Sequence, residues 1–178
     1  MPLPDFPPLP EMGVASDWVA GVIVCDDAFF FLRHMAHAGI HLRLPGGWQR
    51  GPSESLEECC RRLVTEELRH AVGEFARQLH LPSDVAPLAV EVGVKIGEHQ
   101  VGRLGRMHYF LISGRGHSLF RGPSSDLLVE ADRLVWTPYV WVRSAELAAQ
   151  HIQPTEAREI CLEARKRANQ APGRGSSW

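Results

Sequence analysis

The hydrophobic and polar residues of the chain form short apolar runs, then a long helical pattern, then further short runs. Residues 17–25 (DWVAGVIVC) and 28–33 (AFFFLR) are rich in β-branched and aromatic side chains, with Asp26 and Asp27 between them. This pattern predicts two strands joined by a tight turn. A shorter apolar piece, residues 40–44, leads into a Pro-Gly-Gly sequence, which predicts another turn.

A helix is predicted after this turn. Ser53 and the acidic residues behind it mark its start, because a serine side chain can accept a hydrogen bond from a free backbone N–H. Pro82 marks its end. Between these points an apolar stripe recurs at helical spacing, formed by Val64, Leu68, Ala71, Val72, Phe75 and Leu79.

The second half of the chain returns to strand patterns and ends in a helical one. Strands are predicted at residues 88–96 and 107–113, and after a loop (114–133) long enough to be functional an irregular strand follows at 134–142, around Pro138. Residues 144–168 predict one or two short helices. The order of strands, helix, strands and helix is typical of an α/β protein, although periodicity alone does not select one α/β fold.

Length, charge and cysteine content limit the class of protein. A chain of 178 residues suits one domain with a sizeable core, here residues 17–168 between a flexible proline-rich arm (1–16) and a disordered tail (169–178). The net charge of −2 predicts no general affinity for nucleic acid or membranes. No signal peptide or membrane-spanning run is found, and the four cysteines lack C-x-x-C spacing. A cytoplasmic protein with reduced thiols is expected.

Residues 44–67 (LPGGWQRGPSESLEECCRRLVTEE) carry the candidate chemistry. Glycines let the backbone approach a ligand closely, and carboxylates on one helix face can hold a hard divalent cation. Six residues separate the second glycine from Glu54, seven more lead to Arg62, and Glu66 and Glu67 follow as a pair. This layout resembles the Nudix box, G-x5-E-x7-R-E-U-x-E-E-x-G-U (U, aliphatic), with one residue inserted in the loop.

The resemblance implies a Nudix-fold α/β/α sandwich with a mixed β-sheet. It also implies a Mg²⁺- or Mn²⁺-dependent hydrolase that acts on a nucleoside diphosphate linked to another group. In that family pattern Gly46 would offer its carbonyl to the metal and Glu66 and Glu67 would be ligands. Arg62 would orient a carboxylate, and Glu54 would support the loop. The alternative for Glu66 and Glu67 is a pair of solvated helix residues.

Three positions depart from the family pattern. Leu63 stands where the family has its first glutamate after the arginine, which is a metal ligand or the base that takes a proton from water. Arg69 replaces the helix-ending glycine, so we expect the helix to continue, and His70 replaces an aliphatic residue. Because leucine can neither bind metal nor take a proton, the site is expected to be weakened, altered or inactive.

Other groups are candidates to compensate for Leu63. The GDP-mannose mannosyl hydrolases, a Nudix branch, are similar in carrying Arg-Leu here and use a histidine from a later loop as base, which would be His108 or His117. At about 100° per residue, His70 and Glu74 share a helix stripe with Leu63 and could replace its carboxylate; the alternative is that both are exposed charges one turn too far from the loop. Later carboxylates could also reach the site, and on the alternative interpretation they are solvated loop residues: Asp126, Glu130, Asp132 and, less suitably, Glu98.

The substrate side offers weaker signals. Arg33 ends an apolar strand and suits a phosphate contact, since its fork matches phosphate oxygens. Trp48 and Arg50 lie in the box loop, where the indole could stack on a base or pack over the loop. The neighbouring histidines could suggest zinc, but a strand-and-loop surface is favoured: His34, His37 and His41. Cys59 and Cys60 occupy small-residue positions of the box helix and are expected to pack.

Two functions follow. The first is a hydrolase with a nucleotide-type small-molecule substrate, either a monomer or a homodimer, with no membrane partner. The second is a Nudix-fold module that has lost catalysis and binds a nucleotide, RNA or protein. The set of Glu54, Arg62, Glu66 and Glu67 favours the first, and Leu63 favours the second.

Overall fold

The structure is a computed structural model that describes residues 17–37, 39–78, 88–101, 105–115 and 137–170. The predicted arm at 1–16 and residues 171–178 of the predicted tail lie outside this part of the chain. So does the segment 116–136, which contains His117 and the three loop carboxylates predicted to approach the site.

The described residues form a mixed sheet of seven strands, ordered β3-β2-β1-β6-β5, with β4 paired to β1 and β7 to β2. The parallel pair is β1 with β6, and the other pairs are antiparallel. The strands are β1 (Trp18–Cys25), β2 (Ala28–Ala36), β3 (Gly39–Arg43), β4 (Gly46–Trp48), β5 (Ala89–Val101), β6 (Gly105–Arg115) and β7 (Tyr139–Arg143).

Helices cover both faces of this sheet. Helix α1 (Leu56–Gln78) packs on one face against Val19, Ile23 and Phe30, while helix α2 (Ala157–Gln170) belongs to the core on the other. Neighbouring residues of β2 point to opposite cores, which explains why its apolar run is continuous and not alternating. The predicted α/β/α sandwich with a mixed sheet is confirmed. Neither of these helices has the length and apolar composition needed to span a membrane.

The start of α1 differs from the prediction by two residues. Ser55, and not Ser53, caps the helix in a reciprocal arrangement with Glu58. The Ser55 hydroxyl accepts the Glu58 N–H at 3.2 Å, and the Glu58 carboxylate accepts the Ser55 N–H at 2.9 Å. As predicted, the helix continues through Arg69, and it reaches Gln78 at the edge of the described segment.

Three further boundaries differ from the sequence prediction. Gly46–Trp48 is a strand beyond the turn, because its backbone pairs with β1. A side chain at Gly46 would lie 2.1 Å from the Val19 carbonyl oxygen, so glycine is required there. Strand β7 begins after Pro138 instead of running through it, as expected for a residue without an N–H. The C-terminal helix extends two residues into the predicted tail, ending at Gln170. A 3-10 helix, Ser144–Ala149, precedes it.

Candidate active site

A cleft of about 600 Å³ lies between α1 and the strands β2 and β3. Its helix wall carries acidic groups and an imidazole, and its strand wall carries two arginines and a histidine. The lining residues are Leu32, Arg33, His34, Arg43, Glu66, Glu67, His70, Ala71, Glu74 and Pro138. The two box glutamates therefore share one cavity with guanidinium groups that suit phosphate.

Glu67, the last residue of the box segment, is held by three hydrogen bonds. Both oxygens of its carboxylate accept from the Arg43 fork, Nη2 to Oε1 at 2.5 Å and Nη1 to Oε2 at 3.0 Å. The Gly46 amide also donates to Oε2, at 2.7 Å. Three charge-assisted hydrogen bonds thus fix the side chain between strand, loop and helix.

Glu66 is much less constrained than its neighbour. Its side chain is 55% exposed, and its ion pair with Arg62 is loose, with the Arg62 Nη1 at 3.8 Å. Arg62 is engaged elsewhere, donating to Glu54 from Nε at 2.7 Å and from Nη2 at 2.9 Å. Hydrogen bonding from Arg62 lowers the pKa of Glu54 to about 2, so this loop carboxylate is ionised at neutral pH.

Leu63 packs instead of facing the cleft. A Cβ added to Gly47 would lie 3.2 Å and 3.3 Å from the two terminal carbons of Leu63, so the leucine covers that glycine closely. The side chain is half-buried against the core beneath α1. The position that the resemblance assigns to a carboxylate is filled by an apolar contact between helix α1 and strand β4.

Comparison with solved structures identifies the architecture. An ADP-ribose pyrophosphatase from Streptococcus suis aligns with a TM-score of 0.51 at 15% identity, over 90% of this chain and 96% of that one. A NUDIX hydrolase from Nitrosomonas europaea aligns at 0.50 and 20% identity, over 88% and 92%. A MutT structure described for Aliivibrio salmonicida and Vibrio cholerae aligns at 0.50 and 16%, over 85% and 98%.

The chain has the Nudix fold. No family model matches the sequence, and no curated protein matches it by sequence. The likeness is therefore one of fold, and the box segment occupies the loop and helix beside the cleft.

The predicted helix stripe is only partly assembled at the cleft. His70 and Glu74 line it with Glu67, whereas Leu63 lies against the loop. Glu74 is paired with Arg77 at 2.6 Å and 3.0 Å, and this hydrogen bonding lowers its pKa to about 2. His70 is exposed on the wall and is the less restrained of the two.

Of the three predicted substrate contacts, one lines the cleft and the other two do not. Arg33 lines the cleft, its Nη1 donating to the Thr137 hydroxyl at 2.7 Å, and burial lowers its pKa. Trp48 packs edge-to-face on Trp18 of strand β1, with ring centroids 5.1 Å apart. Arg50 is exposed in the box loop, where its amide donates to Glu54 at 2.9 Å.

The histidines near the box form a group different from the one predicted. His34 and His41 face each other across β2 and β3, with ring centroids 4.8 Å apart, and His151 lies 6.1 Å from His41. His37 is exposed, and His41 is only 7% exposed, so the expected surface cluster is wrong for His41. Burial is the main cause that lowers the pKa of both His34 and His41, favouring their neutral forms.

His108 and Glu98 belong to another part of the molecule. The His108 side chain is buried on β6, with Asp17 at 3.1 Å from Nε2 and Glu98 at 3.2 Å from Nδ1. Glu98 also pairs with Lys95 and Arg106. Neither residue lines the cleft, so the arrangement does not support His108 as a base or Glu98 as an added carboxylate there.

The two box cysteines are core residues. Cys59 and Cys60 are fully buried in the cluster beneath α1. Burial raises the pKa of each thiol to about 12, so both remain protonated at neutral pH. They act as small packing residues, as the sequence pattern suggested.

Arg43 is the cleft residue that sequence reasoning missed. It lies two positions before the Pro-Gly-Gly sequence, within the short apolar piece at residues 40–44. The available signal was a guanidinium at the end of a strand that leads directly into an acidic box. Its partner is 24 positions away, and spacing along a strand and a separate helix does not reveal such a contact.

The donor set can be compared with the divalent cation that the fold implies. Mg²⁺ is commonly held by one or two carboxylates together with substrate phosphates. Glu66 and Glu67 supply two carboxylates on one wall, while no group of three His, Cys, Asp or Glu side chains within the described residues could hold a metal by itself. The residues fit a cation shared with a phosphate ligand, provided that Glu67 is released by Arg43.

Proposed function

We propose that this protein hydrolyses a nucleoside diphosphate linked to another group, such as a sugar, with Mg²⁺ or Mn²⁺ as the cation. The observation that carries the proposal is that Glu66 and Glu67 share one cleft with Arg33 and Arg43. Carboxylates suit a hard cation, and guanidinium forks suit phosphate oxygens. The cleft thus offers both kinds of contact that a metal–diphosphate ligand needs.

Each box residue is assigned a role in the proposed reaction. Glu66 and Glu67 would hold the cation with the Gly46 carbonyl, and the bound cation would neutralise phosphate charge and lower the pKa of a bound water. Arg62 acts indirectly, since it ties Glu54 and the loop to the helix. Arg33 would pair with a phosphate oxygen from the strand wall, where the Thr137 hydroxyl steadies it.

The reaction adds water across the P–O–P anhydride and releases two phosphate esters. Leu63 cannot take the proton that the attacking water loses. On the helix wall, Glu66 and His70 are the box-helix groups with exposed side chains, and one of them would take it. Glu74 suits the task less well because Arg77 already holds its carboxylate.

The test combines a binding measurement with a substrate screen. Mg²⁺ and Mn²⁺ are titrated by calorimetry with and without ADP-ribose or GDP-mannose, and phosphate, sugar and nucleotide products are separated afterwards. With the nucleotide present, Glu66→Gln and Glu67→Gln should each lower metal affinity and turnover by at least about tenfold. Glu57→Gln is the matched control, because Glu57 is an exposed carboxylate in the first turn of the same helix, outside the cleft.

Equal losses in all three variants would mean that the cleft carboxylates have no special role. Release of free mannose from GDP-mannose, with GDP as the other product, would instead indicate attack at the sugar carbon. That result would match the branch that shares the Arg62-Leu63 pair.

A binding module without catalysis is the second candidate function. Two observations favour it: Leu63 fills the place of a carboxylate, and Arg43 neutralises Glu67. Nucleotide binding in the same calorimetry, with no product formed under any metal, would support this function over hydrolysis.

A further inference from the structure

Arg43 and Glu67 form an ion pair in the cleft in which both carboxylate oxygens are satisfied. Two parallel hydrogen bonds, at 2.5 Å and 3.0 Å, join the guanidinium fork to the carboxylate, and the Gly46 amide adds a third at 2.7 Å. The side chains are 28% and 22% exposed, so water screens the pair only partly. The carboxylate that the fold would assign to a metal is thus already neutralised by the protein's own cation.

Glu66 provides the contrast within the same helix. It is more than half exposed, and the Arg62 Nη1 lies 3.8 Å from its carboxylate. One carboxylate of the pair is open to a ligand and the other is closed by a two-point contact. A divalent cation approaching Glu67 would meet the positive charge of Arg43 beside the same oxygens.

The surroundings show what Arg43 could bind when it leaves Glu67. Its guanidinium lies on the strand wall of the cleft, where Arg33 and His34 are its neighbours in the lining. A phosphate group accepts the same fork geometry as a carboxylate. An anionic ligand in the cleft would therefore offer the departing arginine a partner of equivalent chemistry.

We propose that Arg43 is an exchangeable counter-ion that couples cation binding to diphosphate binding. Without ligand, Arg43 occupies Glu67 and keeps divalent cations weakly bound. A diphosphate draws the Arg43 fork to its own oxygens and frees Glu67 for the cation. The inference deepens the proposed function and rests on it for the identity of the ligand, but the competition at Glu67 can be measured without any reaction.

The first test measures Mn²⁺ binding by calorimetry on the full chain without nucleotide. Arg43→Gln should bind Mn²⁺ at least about tenfold more tightly than wild type, because a positive charge leaves the carboxylate. The double variant Arg43→Gln/Glu67→Gln should lose this gain. Arg69→Gln removes an exposed arginine of α1 outside the cleft lining and should bind Mn²⁺ as wild type does.

Arg43→Lys is the second variant, and it keeps the test decisive if Arg43→Gln does not fold. Lysine keeps the charge but lacks the fork, so it should hold Glu67 less firmly. Its Mn²⁺ affinity should lie between those of wild type and Arg43→Gln. Circular dichroism establishes that each variant is folded, and if Arg43→Gln is not, tighter binding by Arg43→Lys than by wild type is the deciding result.

The second test measures coupling with a methylene analogue of ADP-ribose that cannot be hydrolysed at the diphosphate. In wild type, the analogue should tighten Mn²⁺ binding more than it does in Arg43→Gln, since only wild type has a competing arginine to remove. Equal Mn²⁺ affinity in the folded Arg43 variants and wild type, whether all bind or none does, would overturn the inference.

The two proposals fail in different ways. If wild type hydrolyses ADP-ribose with Glu67-dependent Mn²⁺ binding and Arg43→Gln changes neither, the exchange is wrong and the hydrolase stands. If no variant hydrolyses any substrate but Arg43→Gln gains Mn²⁺ affinity through Glu67, the exchange stands and hydrolysis is wrong.

Discussion

At the scale of single residues, the side chain at position 63 decides how the box helix meets its loop. Leu63 packs against Gly47 and the core beneath α1, and its apolar side chain stabilises that contact. A glutamate at this position would need polar partners instead. Glu66 and Glu67 lie three and four positions further along the helix, on neighbouring turns. A carboxylate introduced at position 63 would therefore enter the same acidic surface.

Replacing Leu63 by glutamate is expected to raise turnover of the best substrate. If the hydrolase lacks only its base, the gain should be about 10²–10⁴-fold, the usual contribution of general base catalysis. The measurement is kcat with saturating Mg²⁺ at neutral pH. We also expect a loss of about 1–3 kcal/mol in the free energy of unfolding, because a polar group replaces a half-buried apolar one.

Leu63→Gln is the control for this variant, since glutamine has the same size and no charge. It should lose similar stability and gain no turnover. A glutamate variant that is as slow as the glutamine variant would point to a remodelled pocket and would favour the binding module.

At the scale of elements, the Glu54–Arg62 ion pair joins the box loop to α1. The pair is bidentate, with exposed side-chain fractions of 17% and 19%, and the Arg50 amide adds a third contact to the same carboxylate. Gln49 further donates to the Glu54 carbonyl. These contacts give the loop a fixed path from strand β4 to the capped start of the helix.

The pair should make stability depend on acid pH. The folded pKa of Glu54, about 2, lies below its ordinary value of 4.5, so its contribution is complete above pH 4.5 and is lost as the pH falls towards 2. Glu54→Gln should cost about 1–3 kcal/mol of unfolding free energy at pH 7 and progressively less below pH 4.5. Urea unfolding at several pH values gives this difference.

Glu57→Gln is the comparison for the acid series, because Glu57 is exposed on the same helix and belongs to no ion pair among the described residues. Its effect should be small at every pH. A difference between wild type and Glu54→Gln that stays constant from pH 7 to pH 2 would contradict an ionic contribution from Glu54.

Some of these elements could be predicted from the sequence and others could not. Alternation, turn residues and helical spacing predicted most strands and the long helix, because these patterns depend on neighbours along the chain. The short strand at Gly46–Trp48 was missed because its pairing with β1 is a tertiary contact that glycines do not signal. The closure of Glu67 by Arg43 was missed for the same reason: the box spacing gives the position of a carboxylate but not its partner.

At the scale of the whole molecule, one sheet supports two cores. Phe30 packs beneath α1 and Phe31 packs beneath α2, although they are adjacent in β2. Strand β2 also contains Arg33, which lines the cleft, and it pairs with β7, which lies more than 100 residues later in the chain. Because both cores depend on the same strands, loss of either should unfold the other and disperse the cleft.

Shortening a buried side chain on the α2 side should therefore destabilise the whole protein. Phe31→Ala is expected to lower the free energy of unfolding by about 3–5 kcal/mol, as for other fully buried phenylalanines. Leu162→Ala, at an apolar residue of α2 that is 42% exposed, should cost less than about 1 kcal/mol. Thermal melts followed by far-ultraviolet circular dichroism and by tryptophan fluorescence should give one coincident transition for each variant, since Trp141 packs against the core beneath α1 and Trp18 against the core beneath α2. If Phe31→Ala instead melts in two separate steps, the two cores unfold independently and the expected coupling between them is wrong.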